Sequence, residues 1–194
     1  MGALMSFDRR EIVKRLLSDR GDLLVVSALG APTYDVAACG DASLNFYLWG
    51  AMGGAAMVGL GLALALPDRS VAVITGDGEM LMGLGSLATI GVKQPANLAI
   101  VVLDNEHYGE TGMQASHTHA GIDLSGIAQA CRFKTVISIA QAQDIENARR
   151  ALHANIGPVL VHARVGTEEP ARVLPSRDGQ EVKLRFMQAL KRNW

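Results

Sequence analysis

Two short, almost wholly apolar runs, Val71-Ala72-Val73-Ile74-Thr75 and Leu98-Ala99-Ile100-Val101-Val102-Leu103, constrain the fold of this chain most. Runs of this length, rich in β-branched residues and lacking polar alternation, read as strands of a parallel sheet buried on both faces. Each ends abruptly on a polar cluster: Gly76-Asp77-Gly78 after the first, Asp104-Asn105 after the second. Both clusters therefore fall at the carboxyl ends of strands, where open α/β sheets bind their ligands. A carboxylate and an amide on neighbouring strand ends, with glycines that admit a bulky anion, suit a hard divalent cation holding a diphosphate.

The rest of the chain repeats the alternation. Ser6 is expected to cap a first helix in which Ile12, Val13, Leu16 and Leu17 share a face, with Gly21 ending it. Leu23-Leu24-Val25-Val26 reads as a strand, residues 30–49 as irregular, and 50–54 as a glycine-rich turn opening a buried helix that runs to Leu66. Residues 79–92 read as one helix. Further on, 135–139 and 158–163 read as strands, and 123–130, 141–154 and the stretch from about Asp178 as helices. The alternation predicts an α/β fold of three layers, a mostly parallel open sheet with helices on both faces, in a single domain over residues 1–194.

Composition narrows the partners. A net charge of −1 with no run of like charges gives no electrostatic footprint for nucleic acid or an acidic membrane surface. Residues 51–66 are apolar enough for a membrane but too short to span one, and Pro67-Asp68-Arg69 follows. The first seven residues lack the apolar core of a signal peptide. Cys39 and Cys131 form neither a close pair nor a metal-ligand spacing, which fits a reducing, cytoplasmic compartment and speaks against an iron–sulfur cluster.

Residues 107–121 are too polar for core and too long for a plain connector, so they read as a functional loop. His107, Gln114, His117 and His119 within it are candidate catalytic residues, able to grip an acidic substrate or shuttle a proton; a solvated loop with scattered histidines is the plain alternative. Glu79, Glu106 and Glu110 stand equally as site carboxylates or as capping and solvated groups. Gly59-Leu60-Gly61 and Gly83-Leu84-Gly85 lie inside helical stretches, so they speak for close helix packing rather than a dinucleotide loop.

Gly76-Asp77-Gly78, then 25 residues, then Asp104-Asn105 resembles the signature of the diphosphate-binding domain of thiamine-diphosphate enzymes. The family pattern ends in Asn-Asn; Asp104 replaces the first member, and Asn105 keeps the metal-ligating second. Gly50-Ala51-Met52-Gly53 is similar to the family's pyrimidine-gripping segment. Within the superfamily, residues 76–87 look closest to the small β subunits of sulfopyruvate decarboxylase and are similar to the matching part of phosphonopyruvate decarboxylase.

The resemblance implies thiamine diphosphate and Mg²⁺ as cofactors. It assigns Asp77, Asn105 and the His107 carbonyl to the metal, and Gly50, Met52, Gly76, Asp77, Gly78, Glu79, Asn105, His107 and Tyr108 to the cofactor. Gly78 and Glu79 would offer backbone N–H groups to the diphosphate, and Met52 would wedge beneath the cofactor. The activity implied is decarboxylation of a small acidic 2-oxoacid, with sulfopyruvate leading. Phosphonopyruvate decarboxylase, another lyase or carboligase, and a non-catalytic cofactor-binding module are the alternatives. In the family an activating glutamate sits on a separate pyrimidine-binding domain. The expectation is therefore an α subunit that supplies it, in an α₂β₂ or larger assembly.

Overall fold

The computed structural model describes residues 7–191. Its centre is a six-stranded sheet of β1 (Leu24–Ser27), β2 (Asn45–Tyr47), β3 (Val71–Gly76), β4 (Leu98–Asp104), β7 (Thr135–Ile139) and β8 (Val159–Arg164), in the order β2-β1-β3-β4-β8-β7. Every pair in it is parallel. Two short strands, β5 (His107–Tyr108) and β6 (Gln114–Ala115), form a separate antiparallel hairpin.

Side chains alternate between two cores. Val25, Ala72, Ile74 and Val101 pack beneath α1 (Arg9–Leu16), α2 (Ala31–Ala38) and α7 (Ala142–Ala151). Leu24, Val26, Val73 and Ile100 face α3 (Ala55–Ala65), α5 (Gly85–Lys93) and α6 (Leu124–Ala130). The expected three-layer α/β architecture is the one found. Helix α8 (Gly179–Lys191) covers the open edge at β2, where Phe186 meets Phe46 edge to face at 5.5 Å between ring centroids.

The path of the chain places the site. From β1 it crosses outward to β2, then returns past β1 to β3 and continues to β4. The reversal opens a crevice at the carboxyl ends of β1 and β3, the topological switch point at which such sheets bind ligands.

Several local expectations are corrected. Asp8 caps α1, its Oδ1 accepting the Glu11 N–H at 2.9 Å, while Ser6 lies outside the described residues. The helix stops at Leu16, short of Gly21. Residues 30–49 hold α2 and β2 rather than an irregular segment. The apolar period of α2 is masked because Thr33 and Asp35 are buried. Thr33 donates to the Ala28 carbonyl, and Asp35 pairs with Arg9 and Arg10. Among the described residues no helix is long and apolar enough to cross a membrane.

The single helix expected over 79–92 is two, α4 (Asp77–Met82) and α5, broken at Gly83. A Cβ on Gly83 would lie 2.1 Å from the Gly53 carbonyl oxygen, so the helix gives way where the glycine-rich turn presses on it. Gly83→Ala should lower stability by roughly 1–3 kcal/mol, since the obstacle is backbone that cannot step aside. Denaturant unfolding checks this; an unchanged midpoint would show that the contact yields freely.

Candidate active site

A cleft of about 340 Å³ opens at the switch point. Three strand ends form it: Leu29, Ala31 and Pro32 after β1, Gly76, Asp77 and Gly78 at the end of β3, and Asn105 and His107 after β4. Met52, Met82, Arg9, Thr167, Glu169 and Arg172 also line it.

The end of β4 is shaped by its own side chains. Asp104 Oδ1 accepts the Glu106 N–H and Asn105 Oδ1 accepts the His107 N–H, each at 3.0 Å. These two local bonds turn the chain out of the strand and leave Glu106 at φ 63°. The His107 ring folds back so that Nδ1 donates to the Asn105 carbonyl at 2.8 Å, which leaves Nε2 as an acceptor.

Two carboxylates lie side by side beneath the cleft in opposite electrostatic settings. Asp104 is fully buried, and its Oδ2 meets His162 Nε2 at 2.8 Å and Arg164 Nε at 3.3 Å. Burial works against its charge, but the bonds from His162 and Thr118 and the Arg164 guanidinium outweigh it and hold the carboxyl below its ordinary range. Asp77 is almost as buried, and burial pushes its carboxyl up. A bond from Ser116 opposes this in part, while the neighbouring charge of Asp104 adds to it. Thr118 joins the pair, with its hydroxyl 2.8 Å from Asp104 Oδ1 and 3.3 Å from Asp77 Oδ2.

Asp104 thus has the Arg164 guanidinium beside it, and Asp77 has no cation among the described ion pairs. Ser116 and Thr118 occupy Oδ2 of Asp77, and Asn105 lines the same cleft with its amide oriented by the turn. Among the described residues no group of three or more His, Cys, Asp or Glu side chains converges as a metal cage. One buried carboxylate and one amide facing open space fit Mg²⁺, which takes few protein ligands and shares its shell with phosphate oxygens and water.

The glycines clear the way for this arrangement. A Cβ on Gly78 would stand 2.6 Å from the Tyr108 ring, so Tyr108 lies directly against the first turn of α4. Its hydroxyl meets His117 Nδ1 at 3.1 Å. Glu79 lines the cleft, but its carboxylate is engaged, accepting the Ala55 N–H at 3.0 Å and the Thr75 hydroxyl. It caps α3 and ties the glycine-rich turn to α4, so of its two readings the capping one describes the side chain.

Of the residues singled out from sequence, the cleft gathers Met52, Gly76, Asp77, Gly78, Glu79, Asn105, His107 and Tyr108. Gly50 is not in its lining. Gln114, His117 and His119 do not line it either. Gln114 folds onto its own hairpin, donating to the Thr111 carbonyl at 2.9 Å. His117 and His119 are exposed, the latter 5.9 Å from the His107 ring. The alternation Ser116-His117-Thr118-His119 instead turns the two hydroxyls inward to the carboxylates. Of the three glutamates, Glu106 pairs with Arg164 at the surface and Glu110 lines the cleft.

Leu29, Pro32, Tyr34, Arg9 and Arg172 also belong to the cleft and were not singled out. A glycine and a proline straight after a strand, Gly30-Ala31-Pro32, signal a helix start at a strand end and could have marked the first of these. No local signal marks Arg9 or Arg172.

The fold, the switch-point cleft and the Asp77–Asn105 pair define a cofactor-binding domain of known kind. The chain belongs to the thiamine pyrophosphate enzymes, whose C-terminal TPP (thiamine diphosphate) binding domain matches residues 30–163. It is 36% identical over 186 residues to the sulfopyruvate decarboxylase subunit beta of Methanocaldococcus jannaschii, covering 95% of this chain and 98% of that one. It is 42% identical over 154 residues to the phosphonopyruvate decarboxylase of Streptomyces viridochromogenes, covering 79% of this chain and 38% of that one. The thiamine diphosphate-dependent 4-hydroxybenzoylformate decarboxylase of Rhodococcus jostii RHA1 shares the fold, with a TM-score of 0.69 at 20% identity over 88% of this chain and 34% of that one.

Proposed function

We propose that this chain is the β subunit of a thiamine-diphosphate- and Mg²⁺-dependent decarboxylase that converts sulfopyruvate to sulfoacetaldehyde and CO₂. The observation that carries the reading is co-extension: the match runs through 98% of a sulfopyruvate decarboxylase β subunit. We take residues 1–194 as one diphosphate-binding domain, in a cytoplasmic protein whose free thiols Cys39 and Cys131 suit a reducing compartment.

In this reading Asp77 and Asn105, with the His107 carbonyl, hold the metal, and the turn of Gly76 to Glu79 receives the diphosphate. Thiamine diphosphate, when bound, supplies the nucleophilic carbon and the electron sink for loss of CO₂. Met52 stands at the cleft wall to support the cofactor's rings. Among the four catalytic candidates His107 alone reaches the cleft, and its free Nε2 can hold or pass a proton. Gln114, His117 and His119 would act from outside the cleft lining.

A partner subunit completes the site. The carboxylate of Glu79 is already bound to Thr75 and Ala55, while Glu110 packs on Gly30 and Glu169 lies 4.0 Å from Arg172. The acid that activates the pyrimidine is assigned to an α subunit, in an α₂β₂ or larger assembly. At the cleft Met52 and Met82 are 47% and 61% exposed, apolar surface suited to that subunit.

The test is turnover of the reconstituted pair on sulfopyruvate, phosphonopyruvate and pyruvate. We expect kcat/KM for sulfopyruvate to exceed the others by roughly tenfold or more, the discrimination a placed polar contact gives. Phosphonopyruvate is the second reading, favoured by the 42% identity, and a higher kcat/KM for it would replace the first.

A further inference from the structure

Beyond Tyr34 the cleft continues into a second groove, with Leu29, Tyr34, Glu110 and Arg172 lining both. Its floor is aromatic: Tyr34 and Trp49 lie 6.5 Å apart between ring centroids. The Trp49 ring is fixed, its Nε1–H donating to the Ser176 carbonyl at 2.8 Å. A guanidinium sits on each ring, Arg172 at 5.2 Å from the Tyr34 centroid and Arg177 at 5.8 Å from that of Trp49.

A guanidinium held against an aromatic ring keeps N–H donors free for oxygen atoms. The partners of these two leave them available. Arg172 meets Glu169 only at 4.0 Å, and no ion pair of Arg177 occurs among the described residues. Glu110 is not paired with either arginine; its carboxyl packs on Gly30, within 2.9 Å of where a Cβ there would stand. Arg9, the other cation of the cleft, is already spent on Asp35. Arg172, held only at 4.0 Å by Glu169, and Arg177, without an ion pair among the described residues, therefore stand on an aromatic shelf in the groove beyond Tyr34.

We propose that Arg172 and Arg177, stacked on Tyr34 and Trp49, form a clamp for a tetrahedral oxyanion at the far end of the substrate, while its 2-oxo end faces the cofactor. The proposal rests on the functional reading above and deepens it, assigning selectivity for a sulfonate over an uncharged methyl group to residues outside the cofactor motifs. Two forked donors match the oxygens of a sulfonate, whereas pyruvate offers the clamp nothing to bind.

The experiment uses the assembled αβ enzyme with Arg172→Met, Arg177→Met and Arg172→Lys. The first readout is calorimetric affinity for 3-sulfopropanoate, which has the two acidic groups of sulfopyruvate but no carbonyl to react. Each Met variant should bind it weaker by on the order of 10- to 100-fold, the loss expected for charge-assisted hydrogen bonds. Arg172→Lys should recover part of this, since it keeps the charge without the fork. The second readout is the ratio of kcat/KM for sulfopyruvate to that for pyruvate, which should fall by a similar factor.

Unchanged affinity for 3-sulfopropanoate in both Met variants overturns the clamp. So does an equal loss on pyruvate, or a loss explained by weaker subunit assembly in sedimentation, which would mean that the arginines pair with the partner subunit. A wild type that binds 3-sulfopropanoate through these arginines yet leaves sulfopyruvate untouched would sink the functional reading and keep the clamp. Sulfopyruvate turnover with arginine-independent affinity would do the reverse.

Discussion

Asp77→Ala is expected to abolish Mg²⁺-dependent binding of thiamine diphosphate. The expected loss of affinity is at least about 100-fold, because removing even an outer-shell partner of a metal costs up to that much. A second effect separates this from simple misfolding. Burial pushes the Asp77 carboxyl above its ordinary value, so without a cation the fold disfavours its charged form. The group's favourable contribution is present at low pH, where it is protonated both folded and unfolded, and is lost as pH rises through the raised native value. Above that raised value the metal-free protein therefore carries an uncompensated charge. Asp77→Asn removes that charge, so the metal-free protein should unfold at an equal or higher denaturant concentration while losing the metal. Calorimetry with and without Mg²⁺, beside denaturant unfolding of the metal-free protein, reads both. Retained metal-dependent binding in the alanine variant would remove Asp77 from the ligand set.

The second large effect is on turnover. The chain purified alone should decarboxylate sulfopyruvate at no more than about a hundredth of the rate of the pair, since general acid–base assistance contributes roughly 10²- to 10⁴-fold. The reason lies in the cleft: Glu79 is locked onto Thr75 and the first turn of α3, which leaves it unable to serve as the pyrimidine acid. Steady-state assay of the isolated chain, then titration with the partner, gives the comparison. Full turnover without the partner would mean that an acid within this chain does the work, and Glu110 would be the first to examine.

Where the sequence was legible, the signal was local. The strands β3 and β4 announced themselves as short apolar runs, and the clusters closing them marked the site, because a chain leaving a buried strand must turn with glycine, Asp or Asn. Legibility failed where a side chain's fate depended on a distant partner. Helix α2 was hidden because Asp35, at an apolar position, is neutralised by Arg9 and Arg10 from α1. The histidines of the loop drew attention by their chemistry, yet Ser116 and Thr118 between them turn inward to Asp77 and Asp104. The break at Gly83 follows from contact with Gly53, thirty residues away.

The sequence alone determined the layered α/β class, the strand-end positions of Asp77 and Asn105, and the family to which they point. These follow from periodicity and from turn chemistry, which act over a few residues. Only the tertiary structure decided that Asp104 is neutralised and Asp77 is not, that Glu79 is a cap, and that Arg172 reaches the cleft and Arg177 the groove beyond it. Those outcomes depend on burial and on which charges meet across the fold, and both are properties of packing rather than of any one segment.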